Sequence, residues 1–476
     1  MPVAPHETVQ LQDRAYDSDD DLEAAAHFLP STAPERAADP AWSKPRPRRD
    51  WRAPAIGLVG GLLLGVLLTH LATRWSTPTS TPKGAPQLVE SLSQLDSQDL
   101  PEPVRIHYRG DNSRNRRDPL LPPSCPLPVV FTDDERGADI VVLNTDSHLG
   151  IEEAEVQRYR EERPWQKFAL WGVESAPNRQ TLERHFNHLR DGTANETAAF
   201  EMTYRLNSSV PATYAYGYFN FSNAPLSWPD KRADRIAAAF ITNCRPKNAR
   251  TLILEELSKL LPGRIDSFGA CRNNANAGET IKELNLTEEV GSRTRWNEKV
   301  TLIGRYKFTV AFENSNDLDY TTEKFFQALE RGTVPLVFGP PDAAARFFPS
   351  PSAAIDVASY LPASYSAPSN SSSAPPKELD DDARAGLARL AERLEYLSSD
   401  AGRGEYEEML AWKRDGKWLE DPANPLGKVV RQSHSEWDQD CRLAGVLRGE
   451  DWAKNPWVPP KAMEDEREAQ EAQAEE

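Results

Sequence analysis

From Tyr306 to Gly339 the chain reads YKFTVAFENSNDLDYTTEKFFQALERGTVPLVFG, and most residues able to do chemistry crowd its middle. Phe308, Val310 and Phe312 alternate as in a strand, Glu313 to Asp319 make a polar loop, and Asp319 or Thr321 is placed to cap a helix that Gly332 stops. Phe325, Ala328 and Leu329 form an apolar stripe on that helix. In an open α/β sheet, ligands bind beyond the carboxyl ends of the strands, and a helix N-terminus there favours anions through its free N–H groups and its dipole. Glu313, Asn314, Tyr320, Glu323 and Lys324 all fall in that position.

The elements that must hold these residues come in two alternating β/α runs. Over 100–230 the short apolar runs VRIHY, PVVF, ADIVVLN and FALWGV are separated by polar segments such as Glu152 to Arg163. Over 231–365 the order is IAAAFIT, the helix-like ARTLILEELSKLL ending at Pro262-Gly263, RIDSF, and then the segment above. The expected fold class is α/β, two Rossmann-like domains facing a cleft. Helices over 377–450 bring Trp412, Trp418 and Trp437 back onto the core, and residues 366–376 read as a mobile low-complexity insertion.

The run FENSNDLDYTTEKFFQAL, followed by G-x-V-P-L-V-x-G, resembles the donor-binding signature of family 10 alpha-1,3-fucosyltransferases. FALWGVESAPN at 168–178, FEMTYRLNSSVPATYAYGYF at 200–219, AFITNCRPKNAR with DSFGAC, and the late Cys-Arg-Leu at 441–443 are similar to further blocks of that family. The resemblance implies a GT-B type fold and inverting transfer of fucose from GDP-fucose to GlcNAc of a glycoprotein glycan, on the N-glycan core or an N-acetyllactosamine arm. It implies Glu174 as general base and Glu323 as a catalytic residue near developing positive charge. Lys324, Lys247 and Arg250 are the implied diphosphate contacts, while Glu313, Asn314 and Tyr320 complete the donor pocket. Many members carry an arginine where this chain has Lys247, which supplies charge without a bidentate fork. Burial of Glu174 against Trp171 is expected to raise its pKa.

Two other readings stand beside this one. Asp317-Leu318-Asp319 has the oxygen-rich form suited to a divalent ion, as in a metal-dependent transferase using another nucleotide sugar. A non-catalytic type II membrane binding protein is the second. The resemblance implies no required cofactor and no metal ligand, a divalent ion being at most stimulatory.

A net charge of −17 argues against nucleic acid as a partner, since phosphate binding needs a positive face. Residues 1–50 read as a disordered cytosolic tail and 55–73 as an uncleaved transmembrane signal anchor, with 74–99 a stem and 451–476 an acidic tail. Lys44, Arg46, Arg48, Arg49 and Arg52 precede the span, so the part after it is expected to be lumenal, and the resemblance implies the Golgi membrane. Gly57, Gly61 and Gly65 lie at four-residue intervals, a surface for a homodimer through the span. Sequons follow the span at Asn195, Asn207, Asn220, Asn285 and Asn370. Cys125, Cys244, Cys271 and Cys441 are disulfide candidates, with Cys244 and Cys271 flanking one helix and strand.

Overall fold

Short strands of Val, Ile, Phe and Ala that read as continuous apolar runs are the signature of parallel sheets covered on both faces, and two such sheets are present. The computed structural model describes residues 101–454 apart from 123, 146–157, 160, 192–198, 216–218, 292–293, 415 and 434–436. The expected span at 55–73, the tails up to 100 and beyond 454, and Asn195 lie outside the described residues. Among the described residues no helix is long and apolar enough to cross a membrane.

The first sheet joins β1 (Val104–Arg109), β2 (Val129–Phe131), β3 (Ile140–Asn144), β4 (Lys167–Gly172) and β5 (Phe200–Thr203) in the order β2-β1-β3-β4-β5. The second joins β6 (Ala237–Ala239), β7 (Ile265–Ser267), β8 (Phe308–Phe312), β9 (Val334–Phe338) and β10 (Ile355–Asp356) in the order β10-β9-β8-β6-β7. All pairings are parallel, with Val142 opposite Ala169 and Val310 opposite Leu336. Pro335 sits inside β9 without breaking a ladder. The amide of Val334 donates to Lys307 of the β8 side, so the Pro335 nitrogen faces the other side, where β10 pairs only with Leu336 and Val337. Strands β5 and β10 were not expected from the sequence, being four and two residues long.

The second sheet is covered by the helix Arg250–Leu260, which packs Ile253, Leu254 and Leu257 against Leu387, Leu390 and Leu394 of the helix Asp381–Ser398. A single apolar cluster runs from Phe168 and Leu170 of the first sheet, through Tyr204, Phe219 and Phe221, to Phe325, Phe326 and Leu329 of the helix Glu323–Glu330. The two sheets therefore share a core instead of facing one another only across an open gap. Trp412 and Trp418 pack into the same cluster, as the sequence implied. Lys413 between them is buried, which pulls its pKa down to about 7, and its Nζ donates to the carbonyls of Phe221 at 2.6 Å and Leu329 at 2.8 Å in the last turn of that helix.

The end of the described chain returns to the first sheet. Cys441 is disulfide-bonded to Cys125, and Asp440 accepts from the Tyr108 hydroxyl at 2.5 Å and from Arg117. Arg442, fully buried, donates to the carbonyls of Ala453, Gln432 and Lys454. Cys244 and Cys271, the other disulfide candidates, are thiols: Cys244 is exposed and Cys271 buried, its thiol pushed up to about 11 by burial and the neighbouring Cys244.

Gly386 sets a test of packing against propensity. Alanine in a helix interior is worth about 1 kcal/mol over glycine, yet a Cβ at Gly386 would stand 1.7 Å from the carbonyl oxygen of Tyr360. Steric overlap wins, and we expect G386A to be destabilised by about 2 kcal/mol in urea unfolding; a stabilised variant would contradict this packing.

Candidate active site

Strand β4 ends at Gly172 and β8 at Phe312, and the loops beyond these two carboxyl ends meet. From the first comes Glu174, partly buried and just ahead of the turn Ala176–Asn178. Its Oε1 accepts hydrogen bonds from the Ser175 amide (2.7 Å) and hydroxyl (3.1 Å), Asn178 Nδ2 (3.2 Å), Asn314 Nδ2 (3.2 Å) and the Tyr320 hydroxyl (2.8 Å). Its Oε2 has one long contact among the described residues, Asn314 Nδ2 at 3.4 Å. Burial raises the carboxyl pKa, but the Tyr320 hydroxyl, the Arg179 charge, the Ser175 amide and Asn178 outweigh it, and the net shift is downward. The expected rise is thus reversed, because the site that dries Glu174 also solvates one of its oxygens.

At the other loop Glu313 is buried and does the capping that Asp319 or Thr321 was expected to do. Its carboxylate accepts from the Thr322 amide at 2.8 Å and from the Thr322 hydroxyl at 2.8 and 3.0 Å, satisfying a free N–H at the start of the helix Glu323–Glu330. Gly339, at φ +133°, closes the strand beside it, where a Cβ would meet that of Glu313 at 2.8 Å. Lys324 Nζ lies 3.7 Å from Glu313, 3.3 Å from Glu323 and 3.1 Å from Thr322 Oγ1. Glu323 also meets Lys299 at 3.3 Å, from the helix Arg295–Ile303. Burial opposes the charge of Glu323, but Lys324 and Lys299 hold its carboxyl down at about 2, whereas burial pushes Glu313 up despite Lys324. Lys299 was not singled out in the sequence; a lysine on a polar helix carries no signal until the fold turns it toward a carboxylate.

The Asp317-Leu318-Asp319 triplet turns its carboxylates to protein donors. Asp317 accepts from the Tyr204 hydroxyl, from Arg205 at 2.7 Å and from the Ala176 amide at 3.2 Å, all of the first sheet's side. Asp319, at φ +60°, accepts from the Leu206 amide at 3.1 Å and lies 3.5 Å from Arg346. Arg250 is 2 % exposed and donates to the carbonyls of Phe312 and Asn243, so it braces the end of β8 instead of opening toward a ligand. Lys247 Nζ donates to the Ser371 carbonyl at 2.8 Å. Asn207, Asn285 and Asn370 are exposed and Asn220 is partly buried. A separate cavity of about 430 Å³, lined by Leu206, Arg346 and Lys428, contains none of the expected site residues.

Two parallel sheets meet at their strand ends in this α/β protein, and the Glu174 loop joins the loop that leads into the helix Glu323–Glu330 through Asn314 and Tyr320. Residues 229–367 match the model described as glycosyltransferase family 10 (fucosyltransferase), C-terminal domain. Over those residues the chain is similar to the C-terminal domain of family 10 fucosyltransferases. It is 35% identical over 250 residues to a fucosyltransferase-like protein of Arabidopsis thaliana, covering 52% of this chain and 37% of that one. To the human 4-galactosyl-N-acetylglucosaminide 3-alpha-L-fucosyltransferase 9 it is 28% identical over 180 residues, 37% of this chain and 41% of that one. The chain thus spans about two fifths of the length of these relatives. A crystal structure of an alpha1,3-fucosyltransferase aligns over 78% of this chain and 97% of its own, with a TM-score of 0.42 and 15% identity.

Replacing Tyr320 by Phe removes the first of the contacts that hold Glu174 ionised. The acid limb of the pH profile of kcat/KM, read as titration of Glu174, should move to higher pH in Y320F; an unmoved limb would show that another group titrates.

Proposed function

We propose that the chain is an inverting alpha-1,3-fucosyltransferase of GT-B type that transfers fucose from GDP-fucose to GlcNAc of a glycoprotein glycan. The observation that carries this reading is the asymmetric solvation of Glu174, whose Oε1 is crowded by donors while Oε2 keeps one contact at 3.4 Å. Such a carboxylate is ionised near neutral pH and has an oxygen left to take a proton. In the reaction, the acceptor hydroxyl oxygen bonds to C1 of fucose and its proton passes to Glu174 Oε2. The bond from C1 to the diphosphate oxygen breaks with its electron pair going to the phosphate, inverting the anomeric centre.

Lys324, and Lys247 beside it in role, meet the departing diphosphate. Glu323, anionic at any physiological pH, stands near the positive charge that develops on the sugar. Asn314 and Tyr320 belong to both functions, orienting Glu174 while lining the donor side. Arg250 supports this pocket by donating to the carbonyls of Phe312 and Asn243. No metal is required in this scheme, the cationic side chains taking the role that a divalent ion plays elsewhere. The enzyme is anchored by 55–73 in the Golgi membrane with its catalytic part in the lumen, and the glycine-spaced span allows a homodimer.

In E174Q the acceptor proton has nowhere to go. Transfer from GDP-fucose should fall by roughly 10²–10⁴-fold with donor affinity changed little, and unchanged turnover would remove Glu174 as the base. Wild-type transfer should persist in EDTA, and its abolition would favour the metal-dependent reading.

A further inference from the structure

The serine-rich segment expected to be mobile is docked at the mouth between the two sheets, straddling the end of the family match at residue 367. Asn316 Nδ2 donates to the carbonyls of Tyr365 (2.7 Å) and Ala367 (2.9 Å). The Ser369 amide donates to the Asn316 carbonyl at 2.8 Å, and the Ser369 hydroxyl accepts from the Asn316 amide at 3.0 Å and donates to the Lys247 carbonyl at 3.2 Å. These anchors lie on the second sheet's side. Two residues further, Ser371 faces both ways: its carbonyl accepts from Lys247 Nζ at 2.8 Å and its amide donates to Glu183 Oε1 at 2.8 Å. Glu183 belongs to the helix Gln180–Asp191, which follows the Glu174 loop on the first sheet's side. A single residue thus links a carboxylate of one side to an ammonium of the other.

The electrostatics give that link a purpose. At the helix N-terminus Glu313 and Glu323 face Lys324 and Lys299, so each of these ammoniums has a carboxylate beside it. Lys247 is different: its Nζ partner is a neutral carbonyl, which orients the ammonium without cancelling its charge. A diphosphate brought to the helix needs such an uncancelled cation.

We infer that residues 365–373 form a strap that positions Lys247 for the diphosphate of a nucleoside diphosphate sugar, with Glu183 pinning the strap from the acceptor side. This rests on the reading of the site as a GDP-sugar site. Glu183 and Ser371 are positioning residues, acting through Lys247. Because the pin crosses from one side to the other, donor affinity depends on a residue far from the donor helix in sequence.

The test uses GDP as the probe, titrated by calorimetry into the full chain in five forms: unaltered, Glu183→Gln, a strap replacement with Gly-Gly for Ser369–Ser373, Lys247→Met, and the last two combined. Glu183→Gln and the strap replacement should each weaken GDP binding, the latter by roughly tenfold, the equivalent of one charge-assisted hydrogen bond. Combining the strap replacement with Lys247→Met should weaken binding no further than Lys247→Met alone, since one acts through the other. Additive losses, or GDP affinity unchanged in both the Glu183→Gln and strap forms, would overturn the strap's role. If the unaltered protein does not bind GDP, the donor reading itself fails, a separate result. Thermal unfolding of each form separates lost folding from lost positioning.

Discussion

A carboxylate that is to take a proton from a sugar hydroxyl must be sheltered from water and yet remain ionised, and Glu174 meets both demands only because two sheets cooperate. Ser175 and Asn178 come from its own loop, Asn314 and Tyr320 from the loop and helix start after β8. Separating the sheets would strip two donors from the carboxylate and leave burial to raise its pKa. The shared apolar core, with Phe219 and Phe221 against Phe326 and Tyr204 against Tyr320, prevents that separation. Asp317 adds a polar join, tying the donor loop to Tyr204, Arg205 and Ala176.

Charge is organised locally in a chain that is acidic overall. The protein carries −17, so a diphosphate cannot be drawn by its general field. In the proposed reading attraction comes from Lys324 and Lys247 at short range, and both are held by oxygen partners. Glu313 serves the opposite need: it satisfies the Thr322 amide and so fixes the first turn that carries Glu323 and Lys324. Salt should therefore weaken donor binding less than it would for a surface cationic patch, because the pairs are partly buried.

Much of this was legible in the residues. The apolar runs placed eight of the ten described strands, and the Tyr306–Gly339 segment showed its strand, loop and helix by alternation, polar run and stripe. Glu174, Asn314, Tyr320, Glu323 and Lys324 were found through family resemblance, and the fold brings them to one place. What stayed hidden depends on tertiary contact. The cap came from Glu313, nine residues before Thr322, and no local motif encodes a cap supplied by a strand end. The downward shift of Glu174 required knowing that Asn314 and Tyr320, about 140 residues away, would donate to it. The serine-rich insertion has the composition of a mobile loop, yet Asn316 and Glu183 supply partners for its backbone. Arg250 looked like a phosphate ligand by position, and burial turned it to carbonyls.

The central claim is that this junction moves fucose, with inversion, from GDP-fucose to a GlcNAc hydroxyl. The most direct measurement is incubation of residues 101–476 with GDP-fucose and a panel of defined GlcNAc-bearing glycans, with product linkage and anomeric configuration read by NMR. The account predicts an alpha-1,3-linked fucose on at least one acceptor and none from UDP-linked sugars. No fucosylated product on any GlcNAc-bearing acceptor, or turnover of a UDP sugar in its place, would contradict it.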